Sequence, residues 1–150
     1  MNQGVVIKAY NSYYYVQTDT KVTMCTLRGR FKQERFSLLV GDEVKYLHTS
    51  DGKGVIEEIL PRRSRLKRPM VANVDQVLLT FAAANPDINS LLVDRFLVLA
   101  ELSELPTILC INKMDMADAA EIGRLADRYR QIGYPVILVS AKFAWSIDQL

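Results

Sequence analysis

Residues 107–115, with the sequence TILCINKMD, decide the fold of the second half of the chain. The run 108–111 is apolar, and it ends abruptly in polar residues with the chemistry of a turn. A short apolar run of this kind predicts a buried strand of a parallel sheet. Because ligands bind beyond the carboxyl ends of such strands, Asn112, Lys113 and Asp115 occupy the position expected of binding residues.

The pattern Asn-Lys-x-Asp is the one with which P-loop GTPases recognise guanine. The Asp115 carboxylate can accept two parallel hydrogen bonds, from the ring N–H and the exocyclic amino group of guanine, a pair that adenine lacks. The stem of Lys113 can lie along the base while its ammonium stays hydrated, and the Asn112 amide can tie neighbouring loops together. Four residues alone are a weak signal, and a polar turn after a strand is the alternative.

Two further apolar runs, 76–83 (QVLLTFAA) and 136–141 (VILVSA), predict strands before and after this one along the chain. Helical patterns over 90–104 and 118–132 separate the three runs. Strand–helix–strand–helix–strand with right-handed crossovers gives a parallel sheet covered by helices. The second half is therefore predicted to be half of a doubly wound α/β domain.

The two helical patterns differ in how sharply they define an apolar face. In 118–132 there is one clean stripe between a start signal at Asp118 and a stop at Gly133, made of Ile122, Leu125, Tyr129 and Ile132. In 90–104 the predicted face is flanked by further apolar residues, and it is made of Leu92, Phe96, Leu99 and Ser103.

The third predicted strand ends in Ser140-Ala141-Lys142, 28 residues after Asn112. The backbone N–H after the serine can donate to the carbonyl oxygen of guanine. The triplet alone is a weak signal, but NKxD and SAK at the carboxyl ends of successive parallel strands are specific together. With GTP or GDP as the ligand, the candidate nucleotide-binding residues are Asn112, Lys113, Asp115, Ser140, Ala141 and Lys142.

The first half of the chain consists of short β segments separated by turn residues. Strand character is found over 4–10, 12–17, 22–27, 42–47 and 54–60. Five short strands with no helical period predict a small barrel. The OB-fold is the commonest five-stranded barrel that binds nucleic acid, and an SH3-like barrel fits the pattern nearly as well.

Two basic segments belong to this half, the loop 28–37 (RGRFKQERFS) and the run 62–68 (RRSRLKR). Basic side chains can bind phosphates while an aromatic ring stacks on an unpaired base, as is typical of single-stranded RNA contact. Taken alone, the first segment could be a solvated loop and the second a hydrated linker. The candidate RNA-binding residues are Arg28, Arg30, Phe31, Lys32, Arg35, Arg62, Arg63, Arg65, Lys67 and Arg68.

The formal net charge of +2 conceals an asymmetry between the two halves. Residues 1–68 contain 13 Lys and Arg against 7 Asp and Glu, and residues 69–150 contain 6 against 10. A basic half followed by an acidic half predicts two domains with different partners. We place the boundary between residues 68 and 69, with the basic run at the end of the first domain.

Several classes of protein and site are excluded by composition. The chain has no uninterrupted apolar stretch of membrane-spanning length and no N-terminal signal peptide. Cys25 and Cys110 are far apart within predicted strands, and His48 is the single histidine, so we expect no disulfide and no metal site in these residues. These features predict a cytoplasmic protein without a membrane partner.

A hydrolytic GTPase also needs a phosphate loop, a Mg²⁺-binding Ser or Thr and a DxxG sequence. The pattern G-x-x-x-x-G-K-[ST] does not occur in the 150 residues. The Gly52-Lys53 dipeptide lies in a predicted hairpin turn of the barrel. A β-barrel thus occupies the place before NKxD where ordinary GTPases have their phosphate loop.

This order resembles that of the circularly permuted GTPases of the RsgA (YjeQ) family, and the resemblance covers essentially the whole chain. In the barrel it rests on 25–31 (CTLRGRF), 40–44 (VGDEV) and 60–69 (LPRRSRLKRP). In the second half it rests on 72–76 (ANVDQ), 93–97 (VDRFL), 112–115 (NKMD) and 140–142 (SAK).

The resemblance implies an N-terminal OB domain, a permuted GTPase domain and a zinc-binding domain. It also implies a role in late maturation of the small ribosomal subunit, with that subunit and its rRNA as partners. Since the chain stops at Leu150, we expect an N-terminal part that is inactive in hydrolysis, with Mg²⁺ and Zn²⁺ bound by later residues.

Two further expectations concern the role of the second half of the chain. A stand-alone RNA-binding module, whose α/β half is only a scaffold, is the competing hypothesis. We also expect that 76–83 forms an edge strand through which the chain self-associates, because it is apolar and lacks charge and proline.

Overall fold

The computed structural model describes residues 1–29 and 38–150. The described chain divides into two compact units, Met1–Val74 and Asp75–Leu150. The predicted RNA-binding residues Arg30, Phe31, Lys32 and Arg35 lie outside the described residues. The domain boundary at 68/69 stays a prediction.

The first unit is built around a closed five-stranded barrel in the order β1-β2-β3-β5-β4. The β3–β5 pair is parallel, which distinguishes the barrel from an all-antiparallel SH3-like one, and β1 pairs with β4 to close it. The predicted OB-like barrel is confirmed. Its strands are β1 (Asn2–Tyr10), β2 (Tyr13–Gln17), β3 (Val22–Leu27), β4 (Glu43–His48) and β5 (Gly54–Ile59).

Alternating strand residues fill the barrel. A set of side chains with no solvent exposure lies inside it, namely Val6, Val16, Cys25, Val44, Tyr46 and Ile56. Gly54 is required at the crowded point of this core, because a Cβ there would lie 2.5 Å from Cys25 Sγ. Burial raises the pKa of the Cys25 thiol to about 11, so the thiol stays protonated and packs as a small apolar group.

The basic run expected as a linker contains a strand. β6 (Arg65–Lys67) and β7 (Met70–Ala72) form an antiparallel hairpin within the first unit. The hairpin is joined to the segment before β4, because the Ala72 N–H donates to the Val40 carbonyl at 2.9 Å. Gly41 permits the close approach, since its φ is +92° and a Cβ would lie 2.0 Å from the Ala72 oxygen.

The second unit contains a three-stranded parallel sheet in the order β10-β9-β8. Its strands are β8 (Val77–Ala82), β9 (Thr107–Asn112) and β10 (Val136–Leu138), and its helices are α1 (Ser90–Glu101) and α2 (Ala119–Gln131). The predicted α/β half with a parallel sheet is therefore confirmed. The third strand was predicted to extend to residue 141, but β10 ends at Leu138, and Ser140 instead forms an isolated antiparallel bridge with Trp145.

The face predicted for α1 is not the buried one. Its buried residues are Val93, Leu97 and Ala100, whereas Leu92 and Phe96 are each 43% exposed. Because apolar residues surround most of this helix, their spacing does not define a single face. The helix also ends at Glu101, earlier than predicted, and Glu104 adopts a positive φ of 54°.

The helix α2 follows its sequence pattern closely. The Asp118 side chain caps it by accepting from the N–H groups of Ala120 and Glu121 at 2.8 and 3.1 Å. Ile122, Leu125 and Tyr129 are buried as predicted, together with Ala126. Ile132 lies just past the helix end and is 68% exposed, so the predicted stripe is wrong at this last position.

Among the described residues, none of the helices has the length and apolar character that crossing a membrane requires.

Candidate guanine-recognition site and basic hairpin

The Asn112 side chain joins the ends of two strands. Its Oδ1 atom accepts from the backbone N–H of Lys113 at 2.7 Å and from that of Ala141 at 3.0 Å. The Asn112 carbonyl in turn accepts from the Ala83 N–H at 2.7 Å, at the end of β8. Asn112 thus holds together the carboxyl ends of β8 and β9 and the segment after β10.

Lys113 crosses from β9 towards the loop after β8. Its backbone is left-handed, with φ 66° and ψ 36°, and its ammonium donates to the backbone carbonyl of Asn85. We expected this ammonium to be hydrated, whereas the structure gives it a backbone partner. The contact fixes the path of the lysine stem across this end of the sheet.

Asp115 lies in a short 3-10 turn, Met114–Met116, and Ser140 holds its carboxylate. The Ser140 hydroxyl donates to Asp115 Oδ1, and Ser140 is fully buried. A carboxylate has about four lone-pair positions, so this single contact leaves capacity for two further donors. Asp115 is partly exposed, so those positions are accessible.

The segment after β10 folds back on itself. Ser140 exchanges backbone hydrogen bonds with Trp145, with N–O distances of 3.0 and 3.3 Å. Ala141 and Lys142 are exposed, and the Lys142 ammonium lies 5.1 Å from the centre of the Phe143 ring. The predicted residues of both motifs therefore come together, although their role in nucleotide binding stays a prediction.

Sequence reasoning missed two features of this site. The Asn85 carbonyl is a backbone acceptor and has no signature in the sequence beyond the turn-forming Asn85-Pro86 pair. The Ser140–Asp115 contact joins residues 25 positions apart, and the serine was singled out only for the N–H that follows it. Among the described residues, no group of three or more His, Cys, Asp or Glu side chains is placed to hold a metal ion.

The basic run 62–68, which leads into the β6–β7 hairpin, presents its charges in two different ways. The Arg62 guanidinium forms a bidentate ion pair with the buried Asp42, with Nε–Oδ1 at 2.6 Å and Nη2–Oδ2 at 2.7 Å. These hydrogen bonds raise the pKa of Arg62 above its ordinary value. Arg62 is thus directed towards the buried Asp42, and its predicted role in RNA binding stays a prediction.

Other residues of the run point outward. Arg65 and Lys67 lie two apart on β6 and are exposed, with the half-buried Leu66 between them on the opposite face. Arg63 is 64% exposed at its side chain and lies 3.9 Å from the Glu43 carboxylate. Arg68 is exposed as well.

Arg28, at the end of β3, forms an ion pair with Glu57 of β5, and 58% of its side chain remains exposed. A charge that keeps this much exposure can exchange its partner for a phosphate at small cost. The described RNA-binding candidates therefore include exposed residues at the barrel and on the hairpin.

Comparison with known proteins gives matches over both units. The RsgA N-terminal domain matches residues 3–56, and the RsgA GTPase family matches residues 59–150. The small ribosomal subunit biogenesis GTPases RsgA of Bacillus cereus and Geobacillus kaustophilus are each 42% identical to this chain, over its whole length and 52% of theirs. The chain thus spans about half the length of these relatives.

Solved structures agree with this assignment. The crystal structure of YloQ, a circularly permuted GTPase, is 40% identical with a TM-score of 0.79, covering 93% of this chain and 52% of that one. YjeQ from Thermotoga maritima is 35% identical with a TM-score of 0.85, covering 98% and 54%. Given these matches over both units, the chain belongs to the RsgA GTPase family.

Proposed function

We propose that this chain supplies guanine recognition and rRNA contact to a cytoplasmic GTPase that acts in biogenesis of the small ribosomal subunit. Family membership supports the proposal, because the relatives are named for that role. The carrying observation is the Asp115 carboxylate, held by Ser140 at the carboxyl end of the parallel sheet. GTP and GDP are the proposed ligands.

The hydrogen bonds of Asn112 suggest which group faces the guanine carbonyl oxygen. The backbone N–H groups of Lys113 and Ala141 both donate to Oδ1. The side-chain amide is therefore oriented with Nδ2 pointing away from these two donors. Nδ2 has no hydrogen-bond partner among the described residues. The Ala141 N–H, our first candidate donor, is already bound to Asn112, so we propose Asn112 Nδ2 as the donor to the base.

We expect these 150 residues alone to bind guanine nucleotides weakly and not to hydrolyse GTP. Most affinity in GTPases comes from contacts to phosphates and Mg²⁺, and the sequence contains no phosphate-loop pattern. Base contacts alone predict a dissociation constant on the order of millimolar. Binding of Mg²⁺ and Zn²⁺ is proposed only for the part of the longer relatives that this chain does not span.

The outward face of the hairpin is the proposed rRNA contact of the described residues. Arg65 and Lys67 project from one side of β6, and Arg68 follows them. Paired cations on one strand face can bind successive phosphates along an RNA backbone. Arg62 is proposed as a structural residue, because Asp42 occupies its guanidinium.

We also propose self-association of the chain through β8. This strand pairs with β9 along one edge, and within the described ranges 1–29 and 38–150 no strand pairs with its other edge. Leu78 on β8 is 49% exposed. An apolar edge strand with free backbone groups pairs readily with a second chain.

Base selectivity tests the proposed nucleotide function. Saturation-transfer NMR should give a dissociation constant for GDP at least about tenfold lower than for ADP, because adenine cannot donate the hydrogen-bond pair. The Asp118→Asn variant should keep the preference for GDP. It changes a carboxylate that lies three residues from Asp115 but caps α2 instead. Equal affinity for GDP and ADP would support the competing RNA-binding module with an α/β scaffold.

A further inference from the structure

Two exposed aromatic side chains, Phe143 and Trp145, follow directly after Ser140, Ala141 and Lys142 of the candidate base site. The Phe143 and Trp145 rings are stacked, with centroids 5.3 Å apart and an interplanar angle of 24°. Each residue is 52% exposed. Because an exposed pair of large aromatic rings leaves apolar surface in water, it is typical of a ligand-contacting surface.

The backbone around this pair is strained. Ala144 has a φ of 56° and Ser146 a φ of 55°, so two residues other than glycine adopt the left-handed conformation on either side of Trp145. Such conformations cost free energy and persist where the surrounding structure holds them, often at ligand sites. Here the Ser140 carbonyl holds the segment by accepting from the N–H groups of Phe143 and Trp145, at 3.2 and 3.0 Å.

The same serine holds Asp115, so the aromatic pair is built onto the base-recognising residues. The Ser140 hydroxyl donates to Asp115, and the next N–H, that of Ala141, donates to Asn112. Lys142 follows and lies over one of the two rings, with Nζ 5.1 Å from the Phe143 centroid. A cation at this distance from a ring is attracted by its face.

We propose that Phe143 and Trp145 form an aromatic wall of the guanine site, which positions Lys142 and contacts the base of the bound nucleotide. The inference rests on the proposed guanine-recognition function and adds two residues to it. Purine rings stack favourably on aromatic side chains whatever the sequence context. The wall would therefore add affinity, while Asp115 supplies the selectivity for guanine.

A free RNA strand is a less suitable occupant of this surface. Residues 69–150 contain 6 Lys and Arg against 10 Asp and Glu, so they lack the excess of cations with which proteins neutralise the many phosphates of an RNA backbone. The candidate RNA-binding residues all belong to the first unit. The aromatic pair, in contrast, is hydrogen-bonded to the residue that orients Asp115.

The single tryptophan makes the proposal directly measurable. In a ¹H–¹⁵N NMR titration of the whole chain with GDP, the Trp145 indole N–H gives one cross-peak, and the Ala141 backbone amide reports the base site independently. We expect both to shift with the same saturation curve, with ADP producing a much smaller change. A shift of Ala141 without a shift of the indole overturns the aromatic wall and leaves the proposed function standing. No shift of either resonance overturns both.

Two variants separate a ligand contact from a structural role. Trp145→Leu should weaken GDP binding about fivefold or more, measured at Ala141, because a stacking face is lost. Trp145→Phe keeps an aromatic face and should retain most of the affinity, and the remaining amide shifts verify the fold. Equal GDP affinity in wild type and Trp145→Leu would contradict the proposal. So would an indole that shifts with oligouridylate and not with GDP.

Discussion

The Arg62 guanidinium and the Asp42 carboxylate form a two-point ion pair that connects the basic run to the barrel, with Nε–Oδ1 at 2.6 Å. Asp42 is fully buried, and its Oδ2 also accepts from the Leu39 N–H at 2.7 Å. A buried carboxylate requires such partners, because its desolvation is costly without them. The pair therefore stabilises the first unit.

Arg62→Ala should lower the free energy of unfolding of the first unit by about 3–5 kcal/mol, since it leaves a buried charge unpaired. Urea denaturation measures the change. The matched control is Lys45→Ala, which breaks a pair with Glu58 whose side chains are 37% and 49% exposed. That variant should cost less than about 1 kcal/mol. Equal losses of unfolding free energy in the two variants would show that the buried Asp42 pair stabilises the unit no more than an exposed pair does.

Replacing both Arg65 and Lys67 by Ala should weaken association with small ribosomal subunits and flatten its dependence on salt. Each lost phosphate contact lowers the slope of log K against log salt by about one or slightly less. Pelleting assays across a salt series give both quantities. Lys45→Ala with Lys53→Ala removes the same charge from the barrel and serves as the control. An unchanged slope in the hairpin variant would place the RNA contact elsewhere.

Tyr129 links the two helices and should give the second unit an alkaline-sensitive stability. Its hydroxyl donates to Asp94 Oδ1 of α1 at 2.8 Å. Burial first, and then the hydrogen bond to Asp94, raises the pKa of Tyr129 from 10.0 to about 12. Because the folded pKa lies above the unfolded one, this stabilisation is complete below pH 10 and disappears as the pH rises through 12.

Tyr129→Phe should therefore be less stable than wild type at pH 7, by about 1–3 kcal/mol for a hydrogen bond to a charged group. The difference should shrink between pH 10 and pH 12, as urea denaturation at several pH values would show. Tyr10→Phe, at a residue that is 64% exposed, controls for the loss of a phenol elsewhere. A constant difference at all pH values would contradict the role assigned to the Tyr129 proton.

The chain should dimerise through the free edge of β8 at micromolar concentration, as sedimentation would show. Leu78→Lys should restore a monomer, because a charge on an exposed edge strand opposes pairing. Leu47→Lys, at a 44% exposed strand position in the barrel, is the matched control and should leave the dimer intact. A monomeric wild-type chain in both low and high salt would rule out the edge as an interface.

Much of the fold was predictable because alternation, turn residues and helical stripes agreed with one another. The helix α2 shows this best, since its cap at Asp118 and its buried Tyr129 both follow from spacing. The buried face of α1 was not predictable, because apolar residues occupy most of its surface and spacing selects no single stripe. Its buried face was decided by packing on the sheet, since Val93 and Leu97 lie in one core cluster with Leu109 and Ile111 of β9.

The convergence of the residues of the two motifs was predictable, whereas several of their contacts were not. The spacing of NKxD and SAK placed Asn112, Asp115 and Ser140 at the ends of neighbouring strands. It could not supply the partner of Lys113, because that partner is a carbonyl in a left-handed turn at Asn85. It also could not separate Arg62 from the outward residues of the basic run, since the buried Asp42 lies 20 residues away.

Replacement of Asp115 by Asn is the most direct test of guanine recognition. The Ser140 hydroxyl can donate to an amide oxygen as it does to the carboxylate, so Asp115→Asn should keep its orientation and present an amide to the base. An amide can donate to the second carbonyl of xanthine, whereas it cannot accept both hydrogen bonds from guanine.

Affinities for GDP and XDP should be measured by NMR titration of wild type, Asp115→Asn and the Asp118→Asn control. We predict that wild type and Asp118→Asn prefer GDP, and that Asp115→Asn prefers XDP. An Asp115→Asn variant that keeps the wild-type preference for GDP over XDP would contradict the assignment of Asp115 as the residue that recognises guanine.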